Sequence, residues 1–350
     1  MARMKRVKNV ERDFFFQLWN GSAPTCDERL YVDLMQVHSL VNRVFARQGM
    51  NVLVQDIEIG VQAGGSFTAS ILRLPQHWAC VNAWEKTMRH WMDQRESQAR
   101  ESGLESTRAR YSDFKIFFDE DHAEAGVSEN LIPQGYLVSG TMDYEWNPSQ
   151  VVFPQAGGSS PAHEVYLHML GPDTDASKFL STSCGIIHGY AESRSRVQRT
   201  DPNIVNVNAD STLYGAMEDV AEVLDDVLEN YQEHNHVPPY AIAYDTAFEY
   251  YPGGSIQGVG PSQGSSSIRV PGQFVDTLAV NATQNFNSDT TGSFAAPCGL
   301  LKILIQADGV GVAAGTEQPG EMVGGPLWMR IRLAPGHYQG IAAVPMQEVN

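Results

Sequence analysis

Long apolar runs, clustered cysteines and surplus positive charge are all missing from this sequence. No stretch of about 18 consecutive apolar residues occurs, so no transmembrane helix is expected. The basic start, residues 1–8, meets Asp13 without a long apolar region after it, which does not read as a secretory signal. The four cysteines, Cys26, Cys80, Cys184 and Cys298, are scattered and form no C-x-x-C pair. That spacing excludes a disulfide framework and a zinc cluster, and it leaves buried free thiols in a reducing or indifferent compartment. Lys and Arg number 24 against 41 Asp and Glu, giving a formal charge of −17. A general nucleic-acid coat needs the opposite balance.

The motifs of common enzymes are absent as well. There is no G-x-S-x-G elbow and no Walker loop. Gly258-Val259-Gly260-Pro261 follows no clear strand, and Pro261 blocks a helix there, so a dinucleotide site is not expected. His163-Glu164-Val165-Tyr166-Leu167-His168 spaces its histidines five apart and alternates like a strand, whereas a zincin helix needs them four apart. His234-Asn235-His236 is read as a polar helix exit before Pro238-Pro239. Asp119, Glu120, Asp121 and His122 follow a short apolar strand without EF-hand spacing, so a solvated loop is expected rather than a Ca²⁺ or Mg²⁺ site. Arg194, Arg196 and Arg199 form a small basic cluster. They would touch phosphate or, more simply, guard a strand edge. No catalytic residue, cofactor or metal is expected.

What is present is the texture of a folded β protein. Hydrophobic residues make up 42% and charged residues 19%, which is too apolar for a disordered chain. With 31 glycines and 18 prolines, short apolar runs are divided by frequent turns. The clearest strand is 53–61, with Leu53, Ile57, Ile59 and Val61 on one parity. Ala63-Gly64-Gly65-Ser66 then predicts a hairpin returning through 67–74. Further strands are expected at 30–35, 114–118, 136–144, 151–153, 165–170, 185–191, 204–207, 240–244, 267–270, 274–280, 300–306, 327–333 and 340–344. Trp78, Val81, Trp84, Met88, Trp91 and Met92 recur at helical spacing behind Pro75. A second amphipathic helix follows Asp210-Ser211-Thr212, with Leu213, Met217, Val220, Leu224, Val227, Leu228 and Tyr231 on its apolar stripe. A shorter helix is expected over 37–47. The Gly-rich stretch 251–267, with 281–297 and 309–325, reads as long loops between strands.

Three blocks carry a resemblance. The first is Asp33-Leu34-Met35-Gln36 leading into Ser39-Leu40-Val41-Asn42-Arg43 and Arg47-Gln48-Gly49-Met50. The second is Trp78 with Asn82-Ala83-Trp84-Glu85-Lys86, and the third is Ala296-Pro297-Cys298-Gly299-Leu300-Leu301-Lys302-Ile303. Together, over about half the chain in separated pieces, the sequence resembles the major capsid proteins of small tailless icosahedral viruses with single-stranded DNA genomes.

That resemblance implies a mainly β fold, an antiparallel jelly-roll sandwich with eight strands in two facing sheets. Gln155-Ala156-Gly157-Gly158-Ser159-Ser160-Pro161 reads as a linker. Two jelly rolls in tandem are therefore expected, with a single jelly roll bearing long insertions as the alternative. The layout is an arm and lead-in over 1–28, a first jelly roll over 29–156, a linker at 157–161 and a second jelly roll over 162–350.

The implied function is self-assembly into a virion shell, with trimeric capsomers acting as pseudo-hexamers. The protein would be made in the host cytoplasm and would end in the virion, beside other virion proteins. The family often carries a long Arg-rich arm. Here the basic residues are only Arg3, Lys5, Arg6, Lys8 and Arg12, so the genome is expected to meet this short arm, another basic protein or an internal membrane. Trp78, Trp84 and Trp91 are candidate anchors between subunits, against the simpler reading that they pack within one chain. The competing functions are a carbohydrate- or receptor-binding β-sandwich, with Glu249, Tyr250 and Tyr251 as a candidate sugar site, and a β-rich hydrolase assembled from distant residues.

Overall fold

The computed structural model describes residues 10–19, 27–61, 65–103, 113–136, 146–153, 163–174, 181–195, 272–282, 287–307 and 327–349. The chain divides into two compact units. Unit 1 comprises Met1–Leu74, Ser128–Asp143 and Gly253–Glu348; unit 2 comprises Pro75–Val127, Tyr144–Pro252 and Val349–Asn350. The expected strands at 204–207, 240–244 and 267–270, the helix after residue 212, the linker 155–161 and the loops 251–267 and 309–325 lie outside the described residues, as does most of 136–144.

Unit 1 is an antiparallel β-sandwich. Its strands are β1 (Asp13–Trp19), β2 (Asp27–Asp33), β3 (Met50–Val61) and β4 (Gly65–Arg73). After unit 2 come β9 (Gln273–Ala282), β10 (Asn287–Thr290), β11 (Phe294–Ala296), β12 (Leu300–Ala307), β13 (Leu327–Leu333), β14 (Pro335–Tyr338) and β15 (Ala343–Pro345). One sheet has the order β1-β13-β3-β10, with β11 and β15 also on β3; the other has β2-β12-β4-β9. Phe14, Phe16, Ile57, Ile59, Met329 and Ile331 come from the first sheet and Phe67, Ala69, Ile71, Leu278, Val280 and Ile303 from the second, and all are buried. Period-two burial is clear on β13, where Leu327, Met329, Ile331 and Leu333 alternate with half-exposed residues.

Three expectations are corrected here. The hairpin over 53–74 does not form. β3 pairs with β13 and β10, while β4 pairs with β12 and β9, so the short connection crosses from one sheet to the other. Both strands have a strongly apolar face, and each finds its hydrogen-bond partners 200 or more residues away, which local periodicity does not encode. The division at 157–161 into two successive sandwiches also fails. Strands from both ends of the chain interleave in the same two sheets, and unit 2 interrupts them between β4 and β9. Finally, the stretch 281–297, expected as a loop, contains β10 and β11.

The expected helix over 37–47 begins earlier, as α1 (Leu34–Asn42). Asp33 caps it, accepting from the backbone N–H groups of Met35 and Gln36. Arg43 ends it in the left-handed conformation at φ 52°, its N–H bonded to the Ser39 carbonyl. A polar network surrounds this helix. Gln48 donates to Asp33 Oδ2 (2.8 Å), Asn130 donates to Gln36 Oε1 (2.8 Å), and Asn42 bonds both backbone groups of Glu11. The block around Asp33 therefore fixes a corner of the sandwich.

Unit 2 mixes helix and sheet. In chain order it has α2 (Trp78–Glu101), β5 (Phe117–Asp119), α3 (Glu120–Ala125), β6 (Gln150–Phe153), β7 (His163–Leu170), β8 (Ser183–Gly185) and α4 (Ile186–Ser195). β7 is parallel to β5 and β8 and antiparallel to β6. Gln94 of α2 extends the β6 edge, donating to the Val152 carbonyl (2.8 Å) and accepting from its N–H (3.1 Å). The expected strand over 185–191 is instead the start of α4. A short apolar run such as Ile186-Ile187 does not distinguish a buried helix from a strand.

Candidate functional site

The outward face of the β1-β13-β3-β10 sheet carries rows of charged and polar side chains. Its register sets side chains in rows. Asp13 lies opposite Arg332, which lies opposite Asp56; Phe15 lies opposite Arg330, which lies opposite Glu58; Gln17 lies opposite Trp328, which lies opposite Gly60. Arg332 bridges two strands at once, with Nε 3.0 Å from Asp13 Oδ1 and Nη1 3.2 Å from Asp56 Oδ2. Arg330 pairs with Glu58. Each half-exposed pair is worth roughly 0–1 kcal/mol, so the ladder fixes register more than it stabilises. Trp328 lies against Gly60, where a Cβ would come within 2.4 Å of the indole.

A bulge alters the end of this face. The partners of Arg332 and Leu333 on β3 are Asp56 and Val54, so Gln55 is skipped and the parity reverses. Val52 and Val54 point to the core, and Leu53, expected inside with Ile57 and Ile59, is 41% exposed. Phe15 and Val344 are also exposed, at 49% and 45%. Phe15 belongs to β1, a strand that the sequence reading missed because three consecutive phenylalanines hide the alternation.

The tryptophans proposed as anchors lie in unit 2. Trp84 and Trp91 are buried and pack on Phe114, with centroid separations of 5.9 and 5.5 Å. Trp91 also donates from Nε1 to the Gln150 carbonyl (3.1 Å). These two rings serve the core of their own unit, which corrects their candidacy as contacts between subunits. Trp78 is half-buried beside Tyr190, with the Arg194 guanidinium 4.4 Å from its ring centroid. Of the basic arm, Arg3, Lys5, Arg6 and Lys8 lie outside the described residues. Arg12 belongs to the sandwich, where its carbonyl accepts from Leu333 N–H (2.9 Å).

The acidic stretch after β5 is not the solvated loop expected. Asp119 is fully buried and caps α3 by accepting from His122 N–H (2.9 Å), and His122 Nδ1 accepts from Phe118 N–H (3.1 Å). Burial, then Asp121, Glu124, Asp119 and Asp173, push the Glu120 carboxyl above its usual range. His168 is buried at the end of β7, its Nε2 donating to the Pro172 carbonyl (3.0 Å), and burial holds its pKa below the usual imidazole value. Among the described residues, no group of three His, Cys, Asp or Glu side chains is placed to hold a metal ion. Cys80, Cys184 and Cys298 are buried, and burial pushes the Cys80 thiol up to about 12. A thiol in that state is a packing group, not a nucleophile. Glu249, Tyr250, Tyr251, Arg196, Arg199, the 234–236 triplet and Cys26 lie outside the described residues.

No family model matches the chain, and neither a curated protein nor a solved structure matches it.

Proposed function

We propose that this chain is a capsid subunit built on a single jelly roll, with unit 2 as a long insertion, and that it assembles with copies of itself into a virion shell. The observation that carries the reading is the nesting of strand pairs. Take β1, β2, β3, β4, β9, β10, β12 and β13 as the eight principal strands in chain order. The first pairs with the last (β1 with β13), the second with the seventh (β2 with β12), the third with the sixth (β3 with β10) and the fourth with the fifth (β4 with β9). A long antiparallel ribbon wrapped on itself produces that order, which is the jelly-roll plan of capsid and lectin domains. The tandem arrangement and the pseudo-hexameric trimer deduced from it lose their support, since both sheets belong to one sandwich.

In this reading the subunit has no catalytic task. Its short basic arm, Arg3 to Lys8, faces the genome, while its strong negative charge keeps assembled particles apart. The test is the mass of the purified protein by light scattering after size exclusion, with negative-stain images of the large species. Closed particles or a discrete capsomer are expected. A strict monomer at every concentration and salt, with saturable binding to a glycan array, would replace this reading with the sugar-binding one.

A further inference from the structure

We propose that the outward face of the β1-β13-β3-β10 sheet is where one copy of this chain meets another, with Phe15, Leu53 and Val344 as its apolar contacts and the Arg330 and Arg332 ladder setting register. This inference rests on the capsid reading and names the surface that reading needs.

Among the described residues, the edges and the second sheet of the sandwich offer less apolar surface. Along the β1 and β2 edges, the returning segment bonds both strands: Leu131 N–H donates to the Tyr31 carbonyl (2.9 Å) and Gln134 N–H to the Phe15 carbonyl (2.7 Å). At the opposite edge, β9 has its amides occupied by carboxylates. Thr277 N–H bonds Asp276 (2.9 Å) and Ala279 N–H bonds Asp289 (3.3 Å). Such side-chain caps discourage strand addition. On the second sheet, the parity opposite to the core carries Tyr31, Leu72, Lys302 and Leu304, all four buried, and one exposed large apolar side chain among the described residues, Phe274 at the start of β9, opposite Leu72. The first sheet is different. Its outward face carries three large apolar side chains, each more than two-fifths exposed.

Charge identifies the occupant. The whole chain carries −17, so two copies repel through most of their surface. On this face two guanidinium groups, Arg330 and Arg332, stand among three carboxylates, Asp13, Asp56 and Glu58. Near balance removes most of the repulsion locally. Alternating rows also let an arginine of one copy reach a carboxylate of the other, as a self-complementary contact requires. The apolar residues sit around the charged rows, with Phe15 on β1 and Leu53 and Val344 on β3 and β15.

The test compares the full chain with a Phe15→Glu/Leu53→Glu double variant and a Met92→Glu control, whose side chain is exposed on α2. Light scattering and negative stain read assembly; circular dichroism and thermal melting read folding. The double variant is expected to stay folded and to need at least tenfold more protein to assemble, while the control assembles like the original chain. If the double variant misfolds, hydrogen exchange of the original chain decides: amides of β3 near Leu53 and of β15 gain protection on assembly. An original chain that assembles alongside an equally competent double variant overturns the surface and leaves the capsid reading intact. Unchanged exchange at β3 and β15 does the same. An original chain that never assembles overturns both.

Discussion

In unit 1 a network of buried polar side chains, Asp33, Gln36, Gln48 and Asn130, surrounds α1, and the Arg330 and Arg332 ladder stands half-exposed on β13. In unit 2 polar groups are buried where β5 and β7 end: Asp119 and His168, with His122 on the helix that follows β5. The difference follows from strand direction. Antiparallel strands reverse direct from one to the next, and one face can remain in water. Parallel strands need crossovers, so their ends are crowded by helix starts whose unpaired N–H groups must be satisfied. Asp119 and Asp173 do that work here, the first at the start of α3 and the second on Gly185 N–H (3.0 Å). Unit 2 therefore adds to its apolar packing carboxylate contacts to backbone N–H groups at its strand ends.

The largest effect is expected from removing packing in unit 2. Trp84→Ala vacates a buried site beside Phe114 and should cost on the order of 3–5 kcal/mol, read by urea unfolding. A loss below about 1 kcal/mol would show that the helix does not rest on this ring. Next come two glycines, one in each unit. A Cβ on Gly185 would lie 2.0 Å from the Gly171 carbonyl oxygen, whereas a Cβ on Gly60 would meet the Trp328 ring. Backbone cannot yield as a side chain can. Gly185→Ala is therefore expected to cost about 3 kcal/mol and Gly60→Ala about 1 kcal/mol, the latter with a shift in tryptophan fluorescence. The reverse order would contradict the assignment of rigid and yielding contacts.

Acid should separate the units further. His168 is neutral in the folded state and its pKa lies below the ordinary 6.5. The unfolded chain takes up the proton first, so stability is complete above about pH 6.5 and declines as pH falls from there toward the folded-state pKa. Glu120 works the other way. Its raised pKa means that the ionised carboxylate weighs against folding at neutral pH, and Glu120→Gln should give a small gain at pH 7 that fades in acid. Hydrogen exchange between pH 7 and pH 5 is expected to show unit 2 amides opening before those of β3 and β13. Equal loss of protection in both units would remove His168 as the cause. The smallest effect is expected from Arg332→Ala. It breaks two half-exposed pairs and should cost less than about 1 kcal/mol in the isolated subunit, measured by thermal melting at low salt.

Much of the local structure was legible. The strands at 165–170, 274–280, 300–306 and 327–333 and the helix starting at Trp78 are present in the structure. Their apolar residues keep one period over a full element, and a period survives whatever the partner is. β1 and β10 were not legible, for opposite reasons. Phe14-Phe15-Phe16 is apolar on both faces, and Asn287-Ser288-Asp289-Thr290 is polar on both. The candidate surface was missed because Leu53 falls on the core parity unless Gln55 is known to bulge, and nothing local marks that residue. The tryptophan spacing marked the helix, but of the expected stripe Val81, Trp84 and Trp91 are buried, whereas Met92 is 50% exposed. Trp84 and Trp91 pack inward on Phe114, and only the packing could reveal it.

The sequence by itself determined the class of this protein: short strands, many turns, buried thiols, a strongly negative charge and a long amphipathic helix. These are sums over near neighbours, and near neighbours are what a sequence lists. Tertiary structure alone decided that the sheets join the two ends of the chain, that β3 and β4 face each other across a core, and which side chains remain in water. Those outcomes depend on hydrogen-bond partners up to about three hundred residues apart, as between Asp13 and Arg332, and on a single skipped residue that turns Leu53 outward.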